Sequence, residues 1–186
     1  IAESTAGVTR DRLYGLVDWD GKHFELIDTG GVEEAGKDAL KTSMQEQTEN
    51  ALEEADAVIV LLDGASGLHP VDREIINRAR ALQVKTFFVV NKIDSAKRED
   101  RVFEFYEAGI DQMYPVSAEH GRGIGELLDA LVADLPLTAN AATSDATNIS
   151  MAIVGRPNAG KSSLVNRLVG EERVVGRQEP HDAVER

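Results

Sequence analysis

The run Gly155-Arg156-Pro157-Asn158-Ala159-Gly160-Lys161-Ser162 has the spacing of a phosphate-binding loop: glycine, four residues, then Gly-Lys-Ser. Glycines at both ends permit backbone shapes that turn N–H groups toward phosphate oxygens. In such a loop the amides from Asn158 through Ser163 form a cradle, and Lys161 reaches the β and γ phosphates. Ser162 is a candidate Mg²⁺ ligand, and a helix starting at Lys161 adds its positive dipole end. The alternative is a chance glycine turn, which leaves the apolar run before it and the helical pattern after it as coincidence.

Other polar residues follow apolar runs in the same way. Asp28, in Asp28-Thr29-Gly30-Gly31, can hold Mg²⁺ through water, and Gly31 can offer its N–H to a γ-phosphate; a strand followed by a tight turn accounts for the same residues. Asn91-Lys92-Ile93-Asp94 places a carboxylate where it can accept from the ring N–H and exocyclic amine of guanine, a donor pair that adenine lacks. A polar loop in which Asp94 caps a helix is the competing reading. Ser117-Ala118-Glu119 can present a backbone N–H to the guanine carbonyl oxygen. Thr9 can give a hydroxyl and a carbonyl to Mg²⁺ and the γ-phosphate, or be an ordinary loop threonine.

These residues need elements to position them. "RLYGLVDWDGKHFELID" predicts a hairpin turning at Asp20-Gly21. "AVIVLLDG" and "VKTFFVVNKID" are continuous apolar runs typical of parallel strands buried on both faces. "QMYPV" predicts a short strand and "ISMAIVG" a last one. Helical patterns occupy "DALKTSMQEQTENALEEAD", "PVDREIINRARAL", "REDRVFEFYEAG", "GIGELLDALVADL" and "GKSSLVNRLVG". The alternation predicts a doubly wound α/β sheet with an antiparallel hairpin edge. Asp28, Asp63, Asn91 and Ser117 then end strands on one edge of the sheet, where ligand crevices form.

The bulk composition agrees. The 186 residues contain no cysteine and carry a net charge of −13. That leaves out disulfides and thiolate metal sites, suits a cytoplasmic protein, and repels nucleic acid at long range. No apolar run approaches the ~20 residues of a membrane span. His23, His69, His120 and His181 are scattered without ligand spacing, and Trp19 and Tyr14 read as packing residues.

Taken together, the five elements resemble a translation-factor-type G domain, and in detail the bacterial tandem GTPases of the Der (EngA) family. "AGVTRDRLYG", "LIDTGGV", "VVNKID" and "SAEHGRGIGELLDAL" resemble the first G domain of that family from switch I onward. "MAIVGRPNAGKSSLVNRLVGEERVV" resembles the opening of the second. The resemblance implies a P-loop G domain that binds GTP or GDP with Mg²⁺, and K⁺ held by an asparagine placed like Asn158. For Asn158 a turn-stabilising role is the alternative. A ribosomal partner is implied only by the family. Departures are equally clear. Val32 stands where a water-orienting glutamine could be, and "GRQEPHDAVER" matches nothing in the family. Against the family the chain is expected to be a slice across two domains or a rearranged one.

The expected architecture is therefore a single circularly permuted G domain with a six-stranded, mostly parallel sheet and helices on both faces. Residues 1–135 run from switch I to the last helix, 136–148 form a linker, 149–175 bring the phosphate-loop strand and helix, and 176–186 form a tail without an assigned role. A linker of about 13 residues reaches up to roughly 40 Å, enough for the late strand to fill the slot within one chain. A domain-swapped dimer would satisfy the same contacts.

Overall fold

The computed structural model describes residues 13–29, 55–82, 84–135 and 149–170. Thr9, Gly30 and Gly31, the linker 136–148, the tail 176–186 and the helix expected over 38–56, up to residue 54, lie outside them.

Strands β1 (Leu13–Trp19) and β2 (Lys22–Asp28) form the expected hairpin. Its turn residues Asp20 and Gly21 both have positive φ, 51° and 71°, which suits the right-handed twist of a two-residue hairpin. Then follow β3 (Ala57–Asp63), α1 (Pro70–Ala81) and β4 (Lys85–Asn91). The next segment is α2 (Ala96–Glu99), a 3₁₀ turn (Asp100–Val102) and α3 (Phe103–Tyr106). The chain ends its described course with β5 (Met113–Pro115), α4 (Ile124–Asp134), β6 (Ile149–Val154) and α5 (Lys161–Leu168).

The six-stranded sheet has the order β1-β2-β6-β3-β4-β5. All pairings are parallel except the β1–β2 hairpin. The last strand among the described residues thus lies in the middle of the sheet. Its neighbours show why it is held there. Every residue of β3 is buried, and β6 is buried from Met151 to Val154, as expected for strands covered on both faces. At its start, Asp56 Oδ2 accepts from the Ser150 N–H at 2.8 Å.

Alternate side chains feed two cores. Ala57, Ile59 and Leu61 join Leu127, Leu131, Leu164 and Leu168 on the face covered by α4 and α5. Val58, Val60 and Leu62 join Ile76, Phe105 and Ile110 on the face covered by α1 and the 96–106 segment. Helix α1 begins with a capping box. His69 Nδ1 accepts from the Val71 N–H, and Asp72 Oδ2 accepts from the His69 N–H at 2.9 Å. Two donors that a helix start leaves open are thereby satisfied. His69, read as a bland scattered histidine, is a cap.

One expectation changes. The helix predicted over "REDRVFEFYEAG" is broken into two short α-turns and a 3₁₀ turn. Only Val102 and Phe105 of it are buried against the sheet, while Phe103 and Tyr106 face outward. Too little of its surface is packed to hold one regular helix.

Candidate functional site

The phosphate loop leaves β6 at Val154. A β-carbon on Gly155 would collide with the Leu61 carbonyl oxygen, and one on Gly160 with the Asn91 side-chain amide. Asn158 and Gly160 have φ of 62° and 95°. Glycine at 160 is thus required by both conformation and space. Helix α5 starts at Lys161 without any side-chain cap, so its first-turn N–H groups are left for an external acceptor such as phosphate. Ala159 is buried under the loop, and Ser163 is exposed in the first turn.

Lys161 Nζ donates to the carbonyls of Gly155 and Arg156 at 3.0 and 3.2 Å. Burial holds its pKa below the ordinary lysine range, partly offset by the nearby Asp28 carboxylate. Neutral carbonyls do not compensate a desolvated charge, and an anion in the loop would. Beside it, the Ser162 hydroxyl donates to Asp28 Oδ2 at 2.6 Å. Two of the three expected Mg²⁺ ligands are thus in direct contact, across 134 residues of sequence. Thr29 Oγ1 donates to the Ile153 carbonyl at 2.7 Å and pins the end of β2 to β6.

At the base end, Asn91 is buried at 3% exposure. Its Nδ2 donates to the Ala159 carbonyl at 2.9 Å, and its Oδ1 accepts from the Ala118 N–H at 3.0 Å. One side chain therefore ties the phosphate loop to the 117–119 loop. Lys92, with φ of 67°, donates to the Asn158 carbonyl at 2.6 Å and to Asp63 Oδ2 at 2.8 Å. Asp94 is exposed and pairs with Arg98 at 2.8 Å. Ser117 is buried, and its Oγ accepts from the His120 N–H at 3.4 Å. Glu119 is exposed, with its carbonyl held by Arg167.

All of the expected site residues that the structure describes lie on the edge formed by the C-terminal ends of the parallel strands. Lys161, Ser162 and Asp28 gather at one end, and Asn91, Ala118, Ser117 and Glu119 at the other. Asn158 and Lys92 join the two. Thr9 and Gly31 lie outside the described residues.

Sequence reasoning missed a second set. Arg156 turns back toward Asp63 and Asp72, at 3.7 and 3.4 Å, and hydrogen-bonds Ser66. Burial pushes the Asp72 carboxyl up, against the pull of the His69 N–H and Arg156. Burial also acts to raise Asp63, but Lys92, the Ala65 N–H and the Ser66 side chain hold it below the ordinary carboxylate range. Arg167 on α5 was missed too. Nothing in its spacing marks it, because its partners are main-chain carbonyls.

Comparison with known proteins agrees with this geometry. A family described as "50S ribosome-binding GTPase" matches residues 1–92 and 150–181. GTPase Der of Trichlorobacter lovleyi is 48% identical over 175 residues, covering 94% of this chain and 38% of the relative. GTPase Der of Geobacter metallireducens is 46% identical over 180 residues, covering 97% and 41%. The chain thus spans about two fifths of the length of these relatives. Among solved structures, an Era variant from Aquifex aeolicus bound to GDP·AlF4⁻ is similar, with a TM-score of 0.58 and 31% identity. That likeness covers 73% of this chain and 48% of Era. Era in complex with MgGDPNP and nucleotides 1506–1542 of 16S ribosomal RNA gives 0.59 and 29% identity, covering 78% and 51%.

Proposed function

The chain belongs to the family of 50S ribosome-binding GTPases, and from that premise we propose that it forms one guanine-nucleotide site that hydrolyses GTP slowly. The observation that carries the proposal is Asn91, whose amide reaches both the Ala159 carbonyl and the Ala118 N–H. The phosphate loop and the base loop are thereby tied into one site, although they come from distant parts of the chain.

In this reading β6 and α5 act as the opening module of the G domain, placed last in order. The arrangement is a circular permutation: residues 1–135, a linker over 136–148 and the phosphate-loop segment 149–175. The sheet order supports closure within one chain, and a monomer follows. Light scattering after size exclusion tests that; a dimer persisting on dilution would favour a swapped strand.

Guanine is read by Asp94, released from Arg98, and by a main-chain N–H of the 117–119 loop. Lys161 and the loop amides from Asn158 to Ser163 stabilise charge that develops on the γ-phosphate as water attacks in line. Ser162 and Asp28 would hold Mg²⁺, with Thr9 as a further ligand; when bound, the ion neutralises phosphate charge. Gly31 offers an N–H to the γ-phosphate. Val32 cannot orient water as a glutamine would, so turnover is slow. Asn158 would hold K⁺ and bring positive charge near the phosphates.

Mixing the chain with labelled GTP and GDP tests the proposal. Phosphate release with Mg²⁺ supports it, tight GDP binding without release reduces it to a binding module, and no binding of either removes it. Equal rates in potassium and sodium salts would take Asn158 off the catalytic set. Contact with a ribosomal particle, which the family's description suggests for this chain, is tested by co-sedimentation of the GTP-loaded chain with large subunits.

A further inference from the structure

Arg167 sits on α5, the helix whose first residue is Lys161. Its Nε donates to the Ala118 carbonyl at 2.8 Å, and its Nη2 donates to the Glu119 carbonyl at 2.6 Å. A planar guanidinium thus forks across two successive peptide groups of the base loop. Fixed fork geometry makes arginine better at this than a flexible ammonium.

The neighbouring peptide groups are held from other directions. The Ala118 N–H donates to Asn91 Oδ1, and the His120 N–H donates to Ser117 Oγ. Between them lies the peptide joining Ala118 to Glu119. Its carbonyl is gripped by Arg167, while its N–H makes no hydrogen bond among the described residues. In a trans peptide the N–H points opposite to the carbonyl. The grip of Arg167 therefore aims the Glu119 N–H away from α5. Ordinarily such an N–H at a loop is satisfied by water or ligand.

We propose that Arg167 is a positioning residue for base recognition: it fixes the peptide plane whose Glu119 N–H donates to the 6-carbonyl oxygen of guanine. The helix that begins at Lys161 beside the phosphate loop thereby also sets the base reader, from its last turn. This inference rests on the guanine site proposed above and adds to it a named donor and the residue that aims it.

The test compares GDP, 6-thio-GDP and IDP binding to the full chain, its Arg167→Ala variant and its Arg167→Lys variant. Sulfur is a weak acceptor, so 6-thio-GDP reports on the 6-position; IDP lacks the exocyclic amine and reports on Asp94. Losing one aimed donor is expected to weaken GDP about tenfold in the alanine variant. Binding of 6-thio-GDP should hardly change, so the preference for oxygen over sulfur collapses. The preference for GDP over IDP should stay as in the parent. Lysine at 167, keeping one donor, should restore part of the loss.

An unchanged preference for oxygen over sulfur overturns the assignment of Arg167, as does an equal loss for GDP and 6-thio-GDP. Should the alanine variant fail to fold in a thermal melt, Arg167→Met, which keeps much of the length but carries no N–H donor, gives the same readout. No binding of GDP by the parent chain itself would instead remove the guanine site, a result distinct from either.

Discussion

The phosphate end of the site comes from one unbroken stretch, Gly155 to Ser162, completed by Asp28. The proposed base end draws on Asn91 after β4, on the 117–119 loop after β5 and on Arg167 in α5. The first is shaped mainly by its own backbone, with positive φ at Asn158 and Gly160. The second is held by side chains reaching over long sequence distances: 68 residues from Asn91 to Ala159 and 49 from Arg167 to Ala118. A loop that carries its own shape tolerates change in its surroundings; an assembled loop depends on each tie. Mutations should therefore separate the two ends by how their effects spread.

The largest effect is expected at the self-contained end. Lys161→Ala removes a half-buried charge that the proposed site directs at phosphate and should weaken GDP about 300-fold, with little change in the melting temperature. Isothermal titration and a thermal melt check both parts. Next, Asp94→Asn should lower GDP affinity about 100-fold and shift preference toward xanthosine diphosphate, whose 2-carbonyl can accept from the new amide. Competition binding reads this directly; unchanged preference would break the base-end assignment. Asn91→Ala touches both ends, since it orphans the Ala159 carbonyl and the Ala118 N–H. It should cost about 2 kcal/mol of stability in urea unfolding and weaken GDP together with it. If stability is kept and only affinity falls, the tie between the ends is not structural.

The smallest effects are those of pH. Asp63 has its folded pKa lowered from 3.8. Its stabilising contribution is therefore present above that value and is lost as pH falls through the folded pKa. Asp72 has its folded pKa raised from 3.8. The folded chain keeps that proton longer than the unfolded one, so stability declines as pH rises from 3.8 through the folded value. In urea unfolding from pH 3 to 7, Asp63→Asn should flatten the acid loss, and Asp72→Asn should flatten the opposing slope.

Legibility in the sequence follows the same division. The phosphate loop was read from spacing alone, because its geometry is local and glycine is needed where φ is positive. The hairpin, the buried runs of β3 and β4 and helix α1 were read from apolar pattern, Asp20-Gly21 and Pro70. The late strand was expected to fill a slot in the sheet, and the sheet order puts β6 between β2 and β3. Arg167 and the Arg156–Asp72 contact were illegible. Their partners are main-chain carbonyls or residues far away in sequence, and no periodicity marks such meetings. The broken helix over 96–106 failed for the opposite reason: its pattern was locally helical, but too few of its residues are buried to sustain it.

The central position of β6 has a consequence for how the molecule is made. Thr29 and its partner Ile153 lie 124 residues apart, so β2 and β3 emerge during synthesis long before the strand that joins them. In the proposed permuted order both present open hydrogen-bonding edges and apolar faces until it arrives, which invites association between nascent chains. With so many native pairings between remote segments, folding should be slow and should complete in one late, concerted docking event.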